Sequence, residues 1–459
     1  EAKGQAAEAG VTASDPSAAD IVVTNATVQT MVSPDDVAEA LAVKDGAIVY
    51  VGDAAGASDL IGSDTRVLDL EGGFVCPGFA DGHLHMPDYS LDRMFNCDLG
   101  GYSTNDEYIR ALATHVAANP DRAAYFGVNF SFEPYAQEDG TNNGPDKADL
   151  DTIATDKPIV VSDLSGHSVW VNSKALELGG VTADTTDPDG GYIYREEDGT
   201  PRGCLTDAAV SLIPVEKSYT DEQLVAGCSE FCSMCNSLGL TAITAITSID
   251  PDTMRILRRL EKSGELTLRI NVVPTFNVGD EAATIIAQVQ DNQRYASDML
   301  SSRTVKLYAD GATESCTAWM MEPYAEEVGL GDDWYGLPQW TDEDMQANVK
   351  AFADEGIQVH VHATGDAAVR QAIEAIEATQ TPELRHTITH ACAVAGDDIQ
   401  RMASDDILAS LQFAWMYQDA LAEVEASYLG EDRAGAFYPT RELWDAGVRL
   451  CGSSAGPMG

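Results

Sequence analysis

Basic residues are scarce: 27 Lys and Arg stand against 75 Asp and Glu in 459 residues, a formal charge of −48. Such a charge repels nucleic acid phosphates and anionic membranes at every approach, which argues against both as partners. The acids are dispersed rather than gathered in a tail, so they read as a heavily hydrated surface, whether for a salty habitat or for colloidal solubility. Long apolar runs are also lacking. None reaches the roughly 18 residues that span a bilayer, and the first twenty residues have neither the basic start nor the apolar centre of a signal peptide. No internal repeat and no phosphate-cradling glycine loop is present. With 44% apolar and 22% charged residues, a disordered, collagen-like or coiled-coil chain is excluded. A length prior of about one domain per 100 to 200 residues allows two to four domains, or one large barrel with additions.

The nine cysteines are odd in number and scattered, which gives no disulfide framework. Cys228, Cys232 and Cys235 have a spacing that holds iron–sulfur clusters when it lies on a loop. Here Asp221 to Leu238 has helical periodicity, and the three sulfurs share a face with Leu224, Phe231 and Leu238. Small buried core residues are the better reading.

Residues 1–19 are rich in Ala, Gly, Ser and acid, with little to bury, and are expected to be a disordered leader. Its composition is compatible with export, with a tether to the cell envelope, or with a cytoplasmic tail. Residues 20–73 alternate as short strands broken at Pro34, Asp45-Gly46 and Gly52 to Asp59, a small β-domain. After Gly72-Gly73 the strands become continuously apolar and alternate with helices such as Thr341 to Glu355 and Asp366 to Ala378. That is parallel β/α architecture, with strands covered on both faces. Eight strands begin near Phe74, Leu240, Leu266, Thr304, Ile357, His386, Ile407 and Val448, the number that closes a β/α barrel. The gap between the first two is too long for one crossover, so residues from about 90 to 220 are read as an insertion. It has strands at Ala124 to Phe130 and Pro158 to Val171, and a hairpin over Gly190 to Gly203 turning at Asp198-Gly199.

Catalytic groups of β/α barrels cluster at the strand C-termini. His83 and His85 follow strand one, and period-two geometry sends both imidazoles to one side. Two such nitrogens suit zinc or another borderline divalent ion. Alone the pair is weak, since two close histidines also occur as hydrogen-bonded core residues. Lys306, His360, His362 and His390 stand at corresponding ends of other strands, where each could also be a satisfied polar core residue. Lys306 could instead pair with an acid such as Asp310. A protonated lysine has no lone pair for a metal, so Lys306 would take part only as the neutral amine or as a carbamate. The carbamate would explain a lysine in a buried strand, where a bare charge is costly.

Together these residues resemble the amidohydrolase superfamily, and more closely its YtcJ-like branch, the amidohydrolase 3 group. The resemblance covers residues 20–459. It rests on Pro77-Gly78-Phe79-Ala80-Asp81-Gly82-His83-Leu84-His85, on the motif Gly166 to Leu176, on the lysine motif at 305–311, on His362 to Asp366, and on Arg385 to His390. It implies a barrel carrying a small β-sandwich, with one or two divalent ions, zinc first among them. The ligands would be His83, His85, carboxylated Lys306, His362 and His390, with His360 a strand neighbour. In that family a metal-activated water attacks a carbonyl, and an Asp at the end of strand eight takes its proton. His167 resembles a group that hydrogen-bonds the oxyanion, or else a contact fixing the insertion. Trp170 and Tyr192, with Tyr194, Trp319, Tyr324 and Trp334 behind them, could line a pocket over the metal, or be core.

Two departures from the family pattern stand out. The usual Ser-Asp-x-Pro of strand eight is here Ser454-Ala455-Gly456-Pro457, with Ala455 where the Asp belongs. A replacement made to trap substrate, a degenerate binding protein, or a register shifted by one onto Ser454 would each account for it; the fixed offset to Pro457 speaks against the last. The sequence also stops just after strand eight, so the strands that would complete the β-sandwich are expected to be missing. The expected activity is hydrolysis of C–N bonds in small amides or N-substituted formamides, impaired by Ala455. The alternative is a non-catalytic small-molecule binder on the same barrel. A homodimer is compatible with the sequence.

Overall fold

The computed structural model describes residues 17–135, 143–164, 168–188, 191–247, 252–313, 316–325, 333–417 and 420–456. They divide into two units, 1–79 and 80–459.

In the first unit the central strand Ile21–Gln29 pairs antiparallel with Ala40–Lys44 and parallel with Arg66–Val75. Asp45 and Gly46, at φ 50° and 76°, form the two-residue turn into Ala47–Gly52, the left-handed pair that matches strand twist. Val22, Ala40 and Ala42 bury against Ala57 of the short helix Ala54–Ser58, whereas Val49, Val51, Val67 and Phe74 stay exposed. Gly72-Gly73 does not end this unit, contrary to the sequence reading. Glu71 and Gly72, at φ 52° and 87°, form an irregularity opposite Thr24 and Ala26, after which the strand continues to Val75. Glycine here permits a bulge rather than a break. Phe74 therefore belongs to this sheet, and the next strand begins at Phe79.

The second unit has a mixed α/β fold built on eight strands: β1 (Phe79–Met86), β2 (Leu240–Thr247), β3 (Arg269–Val273), β4 (Thr304–Tyr308), β5 (Gln358–Ala363), β6 (Thr387–His390), β7 (Leu408–Gln412) and β8 (Leu450–Ser453). β1 to β3 are neighbours in one sheet, and β4 to β8 follow one another, all parallel, in a second. Backbone bonds join the two sheets at both ends of the series. Phe276 donates to Lys306 O and Lys306 to Pro274 O, each at 2.8 Å, while Ala455 donates to His83 O at 2.8 Å.

Alternation along these strands sorts the side chains. Val305, Leu307, Val359, Val361, Ile388, Ala409 and Leu411 are fully buried in one cluster with Met345, Val349 and Phe352 of helix Asp342–Asp354 and with Val369 and Ile373 of helix Asp366–Glu377. Burying each large aliphatic stabilises by about 1.5–3 kcal/mol. Thr341 caps the first of these helices by accepting from Asp344 N. Helix Asp221–Ser237 opens with a capping box between Thr220 and Gln223. Its three cysteines are buried beside Leu224 and Phe231, and burial pushes their thiols up. They are core residues.

Between β1 and β2 lies a six-stranded sheet in the order Gly191–Arg195, Pro201–Asp207, Ser168–Val171, Ile159–Asp163, Tyr125–Phe130 and Cys97–Asp98. The stretch read as one strand from Pro158 to Val171 is two antiparallel strands. Among the described residues no helix is long and apolar enough to cross a membrane.

Candidate active site

The polar side chains of the same strands gather on the opposite side from the apolar cluster. On β1, His83 is fully buried, while Leu84 and Met86 join an apolar cluster with Leu91 and Phe231. On β4 and β5, Lys306, His360 and His362 alternate with Val305, Leu307, Val359 and Val361. Register sets Lys306 beside His360 and Tyr308 beside His362. His390 is different. It shares its parity with the outward Ile388, so alternation alone would turn it away from the others. Its φ of 73° breaks the strand and carries the ring inward, at the cost of about 1–2 kcal/mol for an L-residue in that region.

The rings meet closely. His83 lies 5.4 Å from His85, 5.2 Å from His390 and 4.9 Å from His360, centroid to centroid, and His362 lies 4.4 Å from His390. His83 Nδ1 is 2.9 Å from His360 Nε2, in a stacked pair. His362 Nε2 is 2.9 Å from Gly311 O, and His390 Nδ1 is 2.8 Å from Gln412 Oε1. Lys306 Nζ sits 4.8 Å over the Tyr308 ring, and that ring contacts His362. Lys306 makes no pair with Asp310, whose carboxylate is spent on backbone. It accepts from Trp319 N at 2.8 Å, Thr364 N at 3.0 Å and Gly365 N at 2.8 Å. Burial raises the Asp310 carboxyl to about 7, against those three donors.

Burial holds the imidazoles neutral, and any charge on the Lys306 amine would push the same way. His85 falls to about 4, His362 to about 3, and His83 lies well below the usual range. Burial likewise pulls the Lys306 amine far down. Two buried polar atoms in the cluster have no hydrogen-bond partner, His83 Nε2 and Lys306 Nζ. Leaving such a group unsatisfied costs about 1–3 kcal/mol, and a bound ion or water is what ordinarily satisfies one. Neutral imidazoles and a neutral amine are the donors a borderline divalent ion takes, so these residues fit a metal. In their present rotamers they bond to one another and to nearby carbonyls. Among the described residues no three His, Cys, Asp or Glu side chains are arranged around a single ion.

A cleft of about 340 Å³ opens beside His85 and Ala455, lined also by Tyr89, Arg93, Asp98, Asn129 and Asp163. Ala455, at φ 54° and 2% exposed, faces it, whereas Ser454 is exposed and its hydroxyl accepts from Gly456 N. Trp170 does not reach this cleft. It is fully buried in the core of the insertion, edge-on to Phe130 and Tyr135, with its indole donating to Asp146 O. That corrects its reading as a substrate contact. Tyr192 is half exposed beside Tyr194 on an outer strand, and it is not among the residues lining the cleft. His167 lies outside the described residues. Sequence reasoning passed over Gln412 and the cleft residues on helix Asp88–Phe95. A strand whose two polar residues, Ser410 and Gln412, share one parity and end level with the histidines was the available signal for the first.

A profile of the amidohydrolase family matches residues 66–458. The chain belongs to that family of hydrolases. YtcJ of Bacillus subtilis (strain 168), named as an amidohydrolase, is 28% identical over 442 residues, covering 94% of this chain and 79% of YtcJ. The N-substituted formamide deformylase of Arthrobacter pascens is 26% identical, over 96% of this chain and 81% of that enzyme. Among solved structures, an uncharacterized metal-dependent hydrolase of Pyrococcus horikoshii superposes with a TM-score of 0.75 at 23% identity, over 95% of this chain and 83% of that one. The fold is thus consistent with a hydrolase of the TIM-barrel type.

Proposed function

We propose that the eight strands are a (β/α)8 barrel, with the six-stranded sheet an insertion after its first strand and residues 20–79 part of a β-sandwich. On this reading the chain is a metal-dependent hydrolase of C–N bonds in small amides or N-substituted formamides. His83, His85, Lys306, His362 and His390 would hold one or two divalent ions, zinc first among them. The observation that carries the reading is the pair of orphaned atoms, His83 Nε2 and Lys306 Nζ, among neutral imidazoles. The relative named for deformylating N-substituted formamides supports the bond class.

A divalent ion held there supplies Lewis-acid polarisation of a carbonyl oxygen. The neutral Lys306 amine can add to carbon dioxide and release one proton, giving a carbamate with two oxygen donors. The cleft beside His85 admits the substrate, and His167 is assigned to the developing oxyanion. The Ala455 methyl can neither take nor return a proton, so water must be activated without a carboxylate at that position. That buried methyl in the cleft also favours a second reading, a small-molecule binder that has lost its base.

Elemental analysis of protein purified without chelator or histidine tag tests the site, with roughly one or two equivalents of zinc or a similar ion expected. Ala455→Asp is expected to raise hydrolysis of an amide and formamide panel by about 10²–10⁴-fold. Metal-loaded Ala455→Asp protein that stays inactive across the panel would favour the binder. Protein that neither contains nor takes up metal overturns the metal centre.

A further inference from the structure

Gln412 ends β7 with its amide fully enclosed, and each of its polar atoms has a partner. Nε2 donates to Ser453 Oγ at 2.8 Å and to Thr389 Oγ1 at 3.3 Å, and Oε1 lies 2.8 Å from His390 Nδ1. The Thr389 hydroxyl fixes which way the amide points. Thr389 already donates its proton to Ser410 O, and Ser453 Oγ also accepts from Ser410 Oγ at 2.9 Å. Thr389 Oγ1 has therefore given its only proton away and can only accept from Gln412, so the NH2 must face it, with Ser453 Oγ on the same side. The carbonyl is left to face His390, and a carbonyl only accepts, so the His390 proton must be on Nδ1. Trp415, from the turn that follows β7, stacks flat on the same ring at 5.0 Å and 1°. Chemistry and orientation of this imidazole are thus both set by β7 and its exit.

We propose that Gln412 is a positioning residue that locks His390 as the Nδ1–H tautomer and so keeps the Nε2 lone pair free for an ion. The lock itself is a property of the metal-free protein. Its use for metal rests on the function proposed above. His386 supplies an internal opposite: its Nδ1 accepts from Val359 N at 3.0 Å, so its proton must be on Nε2, 3.1 Å from Thr381 Oγ1.

The test is ¹⁵N NMR of histidine-labelled, metal-free protein, with His390 assigned by its loss in His390→Asn and His386 as the reference for the other tautomer. Wild type and Gln412→Glu, which keeps an acceptor, are expected to show His390 protonated on Nδ1. Gln412→Met, with no acceptor, is expected to lose that preference while His386 stays unchanged, which also reports that the fold is intact. In competition with a chromophoric chelator, zinc affinity is expected to fall about 10- to 100-fold in Gln412→Met and to be retained in Gln412→Glu. A wild-type His390 protonated on Nε2, or a Gln412→Met protein with unchanged tautomer and zinc affinity, overturns the proposal. An intact lock in protein that takes up no zinc overturns the metal centre and leaves the lock standing.

Discussion

The two faces of β4 to β7 are made by adjacent residues of the same strands and share one backbone, yet they obey different physics. Outward, Val305, Leu307, Val359, Val361, Ala409 and Leu411 are apolar and fully buried. Inward, Lys306, His360, Ser410 and Gln412 are just as buried and polar. Burial on the first face removes oil from water. Burial on the second strips water from groups that want it, and each must find a hydrogen bond, a neutral form or a ligand. The outer face can thus carry stability while the inner face carries chemistry at some expense of stability.

Substitutions can break or sharpen that contrast. Leu307→Ala, on the outer face, is expected to lose about 2–5 kcal/mol in denaturant unfolding, the largest effect. Gly82→Ala comes next. A methyl there would lie 2.3 Å from Cys451 Sγ, and overpacking of this kind costs about 1–3 kcal/mol. Adding Cys451→Ala is expected to recover part of the loss; a double variant as unstable as the sum of the two singles would show that contact to be irrelevant. Lys306→Met reverses the sign. Removing an unsatisfied buried amine is expected to stabilise the metal-free protein by about 1–3 kcal/mol and to abolish any rise in Tm on adding zinc. If it destabilises as much as Leu307→Ala, the inner face is ordinary core. The smallest effect is expected in the first unit, where exposed Val67→Thr should stay within about 0.5 kcal/mol.

What the sequence allowed to be read follows from the same contrast. His83, His85, Lys306 and His362 were legible because alternation and strand-end position are properties of local sequence. His390 was found by position, but its parity is wrong for the site, and the left-handed turn that rescues it has no signature in an Ile-Thr-His-Ala run. Gln412 was hidden because its partners come from β6 and β8, far away in sequence. Trp170 was misplaced because a motif next to a candidate catalytic histidine does not say which of its side chains turn into the core. The glycine pair at 72–73 was misread because a bulge and a strand end demand the same backbone freedom. The three cysteines were read correctly as core, since helical spacing and apolar neighbours decide it locally, but Leu238, read as part of the same face, caps the helix end and is exposed.

The Asp310 carboxylate holds amides from two loops, Trp319 after β4 and Thr364 and Gly365 after β5. A side chain on Gly365 would strike Trp319 O at 2.0 Å, so the two loops are also in backbone contact. Neither loop can lift without releasing the shared acceptor, and their motions become a single event in time. The three amides should accordingly exchange with deuterium at one common rate, although residues 319 and 364 lie on segments separated by a whole helix.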